Sequence, residues 1–307
     1  MDTARKLSTL DPKNEGEFFK GLSGVDVRNE ANAIYDEMAR LDLLGNIAEL
    51  EIKGLTVIPP EKVGQPDLLD RLIGGVEELY AQRTGKQLNW KSAGEPDRAK
   101  EPFGDVLSYI LLDHPVFQEI MLNPMVLALP TWKLGRNMIV HDFAFLMKGQ
   151  GDGNLSLHAD DFIAPPFSAH ASSFNVTMPL TDYTMEAGPI AYVPGSQRLL
   201  RQPVGDEARN QRTPVLARAG SLICFSSHCW HGSFPRQELG LRLNLVMSFA
   251  RPHMRPANDY SHEATQDLIN KHPPRFKTLI GIPSNTWGRE GPVTDGSISL
   301  LGTTAFN

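Results

Sequence analysis

Apolar residues in the first part of the chain recur at helical spacing. Residues 26–44 and 67–83 each place apolar side chains three or four positions apart, which predicts two amphipathic helices, with Asp67 as the N-cap of the second. Between them, residues 54–58 form a short, β-branched stretch that two prolines follow, a pattern that predicts a strand. Residues 103–122 predict one or two further short helices.

The pattern changes after residue 137. Up to residue 251 the apolar segments are short, rich in β-branched and aromatic residues, and separated by glycine and proline turns. Short strands separated by such turns are typical of a sandwich, a barrel or a jelly roll. The predicted strands are residues 138–147, 155–159, 173–180, 190–193, 221–225, 229–234 and 241–250. The tail predicts one more helix, over residues 261–271.

Together these elements predict a mainly β fold with flanking α-helices. The length suits a single domain over residues 1–307. In this interpretation a mostly helical N-terminal part, residues 1–130, packs on a β-rich core at residues 131–252, which carries the candidate metal site. Residues 253–307 form a C-terminal extension.

Composition narrows the class of protein. Of the 307 residues, 41% are hydrophobic and 21% charged, as in a globular protein, and the formal net charge of -6 argues against a nucleic-acid partner. No stretch approaches the roughly 18 to 20 apolar residues of a membrane span. The two cysteines, Cys224 and Cys229, predict reduced thiols, and the N-terminal residues lack the apolar stretch of a secretory signal. We therefore expect a cytoplasmic protein.

A histidine and two aspartates lie at the end of a predicted strand, in the sequence LSLHADD. Because residues two apart on a strand project from the same face, His158 and Asp160 can bind one metal ion, whereas Asp161 points the other way. His231 supplies a third ligand, and two histidines with one carboxylate are typical of non-haem Fe(II) oxygenases. The alternative for His158 and Asp160 is a hydrogen-bonded pair without a metal. His228 is a poorer ligand candidate, because on a strand it faces away from His231.

An arginine follows the last of these histidines by eleven positions. Residues 229–234 and 241–250 predict a hairpin with a turn over 235–240, which would make Ser233 and Arg242 neighbours that face one interior. An interior arginine requires an anion, and its planar guanidinium suits a carboxylate. The sequence therefore predicts an anion site beside the metal site.

The combination of these motifs resembles the phytanoyl-CoA dioxygenase family of Fe(II)/2-oxoglutarate-dependent oxygenases. Family members carry HxD, a GPL-type turn that runs into PGSH, then HGS, and an arginine eleven residues after the distal histidine. The matching segments here are HAD at 158–160, GPIAYVPGSQR at 188–198, HGS at 231–233 and Arg242. The segment GLTVIPPEKV at 54–63 is similar to the strand that opens family members, so the resemblance covers roughly residues 50–255. Gln197 stands where the family has the histidine of PGSH, in a turn outside the metal motif.

The resemblance implies a double-stranded β-helix, the jelly roll of cupin-like proteins, and a role for each matched residue. Arg242 corresponds to the residue that pairs with the distal carboxylate of 2-oxoglutarate, and Ser233 to a hydroxyl that supports that carboxylate. His141 is the polar candidate on the strand where the family often has another co-substrate contact, and Asn244 is a weaker candidate. The implied Fe(II) ligands are His158, Asp160 and His231.

The implied activity is that of a dioxygenase that consumes 2-oxoglutarate and O2 and gives succinate and CO2. It would hydroxylate or otherwise oxidise a C–H bond, with ascorbate as an auxiliary reductant. Because related halogenases lack the carboxylate ligand, Asp160 favours oxidation over halogenation. Aromatic residues around the motifs favour a mostly apolar small-molecule substrate, and the sequence does not fix the oligomeric state. The candidates for the pocket wall are Phe143, Phe145, Phe162 and Trp230.

Two other functions are compatible with these residues. A cupin-like metal enzyme that does not use 2-oxoglutarate would keep the two histidines and the carboxylate but would not need Arg242 and Ser233. A non-catalytic small-molecule binder on the same scaffold would keep ligand binding after loss of the metal. The presence of every matched residue favours the oxygenase.

Overall fold

The computed structural model describes residues 24–64, 66–91, 105–151, 155–161, 163–282, 287–288 and 291–292. Residues 1–23 and 92–104 of the predicted helical N-terminal part lie outside the described residues, as do Phe162 and residues 293–307 of the predicted C-terminal extension. The single-domain organisation of the whole chain therefore stays a prediction.

The helices lie on both sides of the main strands in sequence. They are α1 (Gly24–Arg40), α2 (Leu44–Lys53), α3 (Pro60–Val63), α4 (Leu68–Thr84), α5 (Pro115–Met121), α6 (Pro124–Leu134), α7 (Tyr260–Glu263), α8 (Gln266–Asn270) and α9 (Pro274–Leu279). None of these described helices is long and apolar enough to span a bilayer. The predicted single helix at 261–271 is divided into α7 and α8.

Three predictions in the N-terminal part need correction. Residues 105–108, which lie in the stretch 103–122 predicted to be helical, form a strand, and the helix found in that stretch is Pro115–Met121. The predicted helix at 26–44 ends at Arg40, because Asp42 adopts a positive φ of 54° and the chain turns into α2. Asp67 precedes α4 but does not cap it. Its carboxylate instead accepts a hydrogen bond from Arg71 at 2.9 Å.

Helix α6 was missed because it is apolar on every side. A helix buried all round lacks the amphipathic period that identifies surface helices. Asn123 caps its N-terminus by accepting from the backbone N–H of Met125 at 2.9 Å, and Pro124 takes the first helical position. The start signal was therefore present in the sequence even though the period was absent.

The described strands form two main antiparallel sheets and one separate antiparallel pair. The larger has six strands in the order β1-β7-β4-β9-β3-β2, and the smaller has three in the order β6-β5-β8. This arrangement confirms the mainly β jelly-roll core with flanking helices, and the strands that the structure describes do not close into a barrel. The strands are β1 (Leu55–Ile58), β2 (Asp105–Ser108), β3 (Ile139–Lys148), β4 (Ser173–Pro179), β5 (Ile190–Tyr192), β6 (Thr213–Pro214), β7 (Leu222–Ser226), β8 (His231–Ser233), β9 (Arg242–Ala250), and the separate pair β10 (Trp287–Gly288) and β11 (Gly291–Pro292).

The predicted hairpin between β8 and β9 is wrong. Strand β8 pairs with β5 in the smaller sheet, whereas β9 pairs with β3 and β4 in the larger one. The chain crosses from one sheet to the other between Ser233 and Arg242. The predicted strand at 155–159 is also reduced, to an isolated bridge between His158 and His231.

The outer face of the larger sheet packs against the helices in one hydrophobic cluster. This cluster includes aromatic residues of β3, β4, β9, α5 and α9. They are Phe117, Phe143, Phe145, Phe174, Phe249 and Phe276. The inner face of the same sheet turns toward the smaller sheet, and the candidate site lies between the two.

Candidate functional site

His158 and His231 face each other across the isolated bridge. The backbone N–H of each donates to the carbonyl oxygen of the other at 2.9 Å, and the ring centroids lie 4.4 Å apart. A Cβ at Gly232 would lie 2.3 Å from the carbonyl oxygen of Leu155. Glycine in the HGS motif therefore permits the close approach that brings the two imidazoles together.

Asp160 completes a cluster that could hold one metal ion. Its carboxylate oxygens lie 3.5 Å from Nε2 of His158 and 3.6 Å from Nε2 of His231, and the three ligand atoms lie within 4.8 Å of one another. The Nδ1 atoms of the rings contact the carbonyl oxygens of Ser156 and Cys229 at 2.9 and 3.0 Å. Because these contacts hold a proton on Nδ1, each Nε2 lone pair is available to a metal ion.

The protonation states of the cluster also suit a cation. Burial alone would raise the pKa of Asp160, but the adjacent imidazoles lower it below its usual value, so the carboxylate is ionised. Burial lowers the pKa of His231, which favours the neutral ring. Burial would also lower the pKa of His158, but Asp160 raises it above its usual value. A proton on His158 therefore competes with a metal ion, and metal binding releases it.

Two amide side chains outside the motifs support the cluster. Asn175, on β4, donates from Nδ2 to Oδ2 of Asp160 at 2.5 Å. Gln202 accepts from the backbone N–H of Ala159 at 2.8 Å and donates to its carbonyl oxygen at 2.7 Å. Neither residue is predicted as part of the site from the sequence. The signal for Asn175 is an amide within the fully buried strand SFNVTMP.

Asp161 lies on the other side of the chain, as strand alternation predicts. It is buried, accepts a hydrogen bond from Ser172, and lies 2.5 Å from Nε2 of His228. Phe167 stacks on the His228 ring, with centroids 5.6 Å apart. His228 is thus engaged away from the metal-ligand cluster.

The cluster borders a cavity of about 330 Å³ between the two sheets. Strands β3, β4 and β9 supply one wall, and β8 supplies part of the other. A cavity of this size is typical of a small-molecule site. It is lined by the three candidate ligands and also by Arg242 and Ser233.

Arg242 lies at one end of the cavity and is 5% exposed. Its Nη1 donates to the carbonyl oxygen of Gly188, and its guanidinium lies 4.7 Å from the ring centroid of Tyr183. Within the described parts of the chain, its Nε has no hydrogen-bond partner and no carboxylate forms an ion pair with it. A buried guanidinium in this state requires an anion from outside the fold.

Ser233 lies at the same basic end. Its Oγ accepts from Nζ of Lys148 at 2.7 Å, and the same ammonium donates to the carbonyl oxygen of Phe234 at 2.9 Å. Lys148 and Arg242 pair directly across β3 and β9, and both are buried. Lys148, which the sequence motifs do not identify, adds a second positive charge beside the predicted anion site.

A β-bulge decides which residues of β3 face the cavity. Val140 and Asp142 pair with consecutive residues of β9, so His141 is an extra residue in β3. His141 and Asp142 line the cavity, whereas Phe143 and Phe145 pack in the hydrophobic cluster behind the sheet. The predicted place of both phenylalanines in the pocket wall is therefore wrong, because the bulge interrupts the alternation that would put them on the face of His141.

Trp230 does not line the cavity either. It is 1% exposed and packs with Ala159, Phe167 and Val193. Its Nε1 donates to the carbonyl oxygen of Arg201 at 2.7 Å. Trp230 follows the turn before β8 and faces the back of the metal-ligand cluster, so its position in the pocket wall was also predicted wrongly. Phe162 lies outside the described residues.

Sequence comparison relates the chain to known oxygenases. The sequence model described as phytanoyl-CoA dioxygenase (PhyH) matches residues 50–242. Among curated proteins, Dioxygenase af480 of Aspergillus fumigatus is 28% identical over 181 residues, which are 58% of this chain and 59% of that protein. The chain thus matches less than two thirds of the length of this relative.

Solved structures of similar fold include proteins with a metal ion and 2-oxoglutarate bound. HygX from Streptomyces hygroscopicus, solved with nickel and 2-oxoglutarate bound, matches with a TM-score of 0.56 and 15% identity, over 73% of this chain and 93% of that chain. The epimerase SnoN, solved in complex with Fe3+, alpha ketoglutarate and nogalamycin RO, matches with a TM-score of 0.51 and 20% identity, over 70% and 84%. At these identities the likeness shows a shared fold.

Proposed function

Because the chain belongs to the phytanoyl-CoA dioxygenase family, we propose that it is a non-haem Fe(II)/2-oxoglutarate-dependent dioxygenase that oxidises a C–H bond of a mostly apolar small molecule. The observation that carries the proposal is the buried Arg242, which shares one cavity with the cluster of metal-ligand candidates. A cupin-like enzyme that does not use 2-oxoglutarate would have no anion to pair with this guanidinium.

The donor atoms of the cluster fit a ferrous ion. Two imidazole nitrogens and one carboxylate oxygen leave further coordination positions open, as non-haem Fe(II) oxygenases require. We assign His158, Asp160 and His231 as its ligands. When bound, the iron supplies the redox chemistry with O2 and 2-oxoglutarate for which the side chains have no groups of their own.

The basic end of the cavity fits the distal carboxylate of 2-oxoglutarate. We assign Arg242 to that carboxylate and Ser233 to a supporting hydrogen bond. The ring of Tyr183 and the carbonyl oxygen of Gly188 already hold the guanidinium, so the co-substrate meets a positioned partner. Contact between His141 and the co-substrate stays a prediction.

Apolar side chains occupy the middle of the cavity wall. They exclude water from the space beside the metal-ligand cluster and leave room for an apolar part of the substrate. Such a wall suits a hydrocarbon skeleton better than a highly charged molecule. These residues are Ala144, Leu146, Ile190, Phe225 and Val246.

Anaerobic titration with Fe(II), followed by 2-oxoglutarate, tests the proposal. A keto acid that chelates Fe(II) through two oxygens gives a weak visible charge-transfer band, which we expect in the wild type. Loss of one partner of a buried charge pair costs about 2 to 5 kcal/mol. Arg242→Ala is therefore expected to weaken 2-oxoglutarate binding by roughly 30-fold or more. Ser233→Ala should weaken it less, because a hydroxyl contributes a single weaker hydrogen bond.

Arg218→Ala is the control for the loss of one positive charge. Arg218 forms an exposed ion pair with Glu61, away from the cavity, so its variant should keep the band. Iron binding without the band in the wild type would favour the cupin-like alternative. If the band of Arg242→Ala appears at the same 2-oxoglutarate concentrations as that of the wild type, Arg242 has a structural role and does not bind the co-substrate.

A further inference from the structure

The cavity wall changes character along β9. From the basic end onward, the residues of β9 that line the cavity are Arg242, Asn244, Val246 and Ser248. At about 3.4 Å per residue, the backbones of Arg242 and Ser248 are roughly 20 Å apart. The end near Ser248 is therefore separate from the site assigned to the distal carboxylate of 2-oxoglutarate.

At this second end, a row of polar side chains crosses the larger sheet. Ser248 pairs with Asn175 of β4 on one side and with Asp142 of β3 on the other. Asn175 donates to the candidate ligand Asp160. Because neighbouring strands lie about 4.8 Å apart, the backbone of Asp142 is roughly 10 Å from that of Asn175. A small molecule that lies across this row can approach the metal-ligand cluster and reach Asp142 at the same time.

Asp142 has an acceptor that nothing in the described chain uses. Its Oδ1 is buried and, among the described residues, receives no hydrogen bond. Burial raises the pKa of Asp142, which is the effect expected for a desolvated carboxylate. A buried oxygen without a donor is destabilising, so a ligand that supplies a donor at this point gains free energy on binding.

The C-terminal segment holds Asp142 in position. The side chain of Asn258 forms a hydrogen bond with Asp142 and accepts from the backbone N–H of Phe143 at 3.1 Å. The hydroxyl of Tyr260 donates to the same Asn258 oxygen at 3.0 Å. The backbone N–H of Asn258 donates to the carbonyl oxygen of the bulged residue His141 at 3.0 Å. One edge of the carboxylate is therefore fixed by the fold while Oδ1 remains for a ligand.

From this arrangement, and resting on the proposed function, we propose that Asp142 determines specificity by binding a hydroxyl or protonated amino group of the substrate. The apolar middle of the cavity contacts the rest of the skeleton. The same carboxylate repels acidic groups, so free carboxylic acids bind poorly at this end. The substrate class is thus an apolar molecule that carries a hydrogen-bond donor away from the carbon that reacts.

Three probes with the same octyl chain test this inference: octan-1-ol, octylammonium and octanoate. Their binding is measured by calorimetry on the protein loaded with Ni(II) and 2-oxoglutarate, because nickel prevents turnover. We expect both donor probes to bind about tenfold or more tightly than octanoate. We expect Asp142→Asn to remove the preference for octylammonium over octanoate.

Asp206→Asn is the matched control, because it removes the same charge from a carboxylate that is 86% exposed. Its probe preferences should equal those of the wild type. Equal binding of the three probes by the wild type would overturn the proposal, and so would a preference that survives in Asp142→Asn or failure of both donor probes to bind. Failure of the proposed function has a different readout, because the Fe(II)–2-oxoglutarate band would then be absent. In that case the binding of the three probes is measured on the metal-free protein.

Discussion

Asp160 and Asp161 are neighbours in sequence, yet they belong to two different histidine groups. The carboxylate of Asp160 lies 3.5 and 3.6 Å from the Nε2 atoms of His158 and His231, which is beyond ordinary hydrogen-bond length. Asp161 lies 2.5 Å from Nε2 of His228 on the opposite side of the chain. In the first group the Nε2 lone pairs of the two histidines are available to a metal ion. In the second group the carboxylate and the imidazole contact each other.

This difference in contacts distinguishes a candidate metal site from a structural pair of side chains. Ligand atoms that lie close together without bonding one another gain most from a cation between them. A buried carboxylate that already holds an imidazole and the hydroxyl of Ser172 has no such need. Both groups combine an aspartate with histidine, so the number and spacing of the ligand atoms, and not the residue types alone, decide which group can bind a metal ion.

The first group, His158, Asp160 and His231, is called the open group here, and the largest effect is expected when it loses its carboxylate. Asp160→Ala should abolish turnover and lower Fe(II) affinity by more than the roughly 10- to 100-fold that loss of a supporting residue costs. His158→Ala should behave in the same way. Anaerobic calorimetry with Fe(II) measures the affinity, and circular dichroism checks that the fold remains.

Asp161→Ala is the control for that experiment, since it changes the adjacent carboxylate on the other face. Its Fe(II) affinity should stay within about tenfold of the wild-type value, below the range expected for a ligand. Wild-type Fe(II) affinity in Asp160→Ala would contradict the ligand assignment.

The second group, Asp161 with His228 and Ser172, is the closed group, and it should instead control the stability of the fold. Asp161→Ala leaves His228 and Ser172 without their buried partner, and a buried donor left without an acceptor typically costs about 1 to 3 kcal/mol. Urea unfolding of the metal-free protein measures this loss in the free energy of unfolding. Asp161→Asn should lose less, because its side-chain oxygen can still accept from Ser172. A metal-free Asp161→Ala protein as stable as the wild type would contradict a structural role for the pair.

The His158–Asp160 pair of the open group was predictable from sequence because its geometry is local. The alternation of a single strand puts His158 and Asp160 on one face, and the glycine of HGS marks the close approach that brings His231 to them. Arg242 was found by the same combination of motif and charge. His231 and Arg242 lie far from His158 in sequence, so their assignment to the same site rested on the resemblance to the oxygenase family.

The predictions that failed are those in which a non-local feature decides the outcome. The bulge at His141 turns Phe143 away from the cavity, and nothing in the sequence of β3 marks an extra residue. The predicted β8–β9 hairpin ignored the crossing of the chain between two sheets. Asn175 and Lys148 were missed because each contacts its partner from a strand distant in sequence.

A smaller effect is expected for Asn175, which supports the open group without being a ligand. Asn175→Leu removes the hydrogen bond that orients Asp160, so Fe(II) affinity should fall by about 10- to 100-fold. Thr177→Val is the matched control on the same strand and the same cavity wall. Equal Fe(II) affinities for the two variants, measured by calorimetry, would show that the contact between Asn175 and Asp160 does not orient the ligand.

The smallest effect concerns the pH dependence of the closed group. Burial would raise the pKa of Asp161, but hydrogen bonds from His228 and Ser172 lower it below its usual value. The stabilising contribution of Asp161 is therefore complete above the unfolded-state pKa of about 3.9 and is lost as the pH falls through the lower folded-state pKa. Asp161→Asn cannot titrate, so the difference in unfolding free energy between wild type and this variant should narrow as the pH falls below about 4. Urea unfolding of both metal-free proteins across that pH range measures the difference. A gap that stays constant would mean that Asp161 is not ionised in the folded protein.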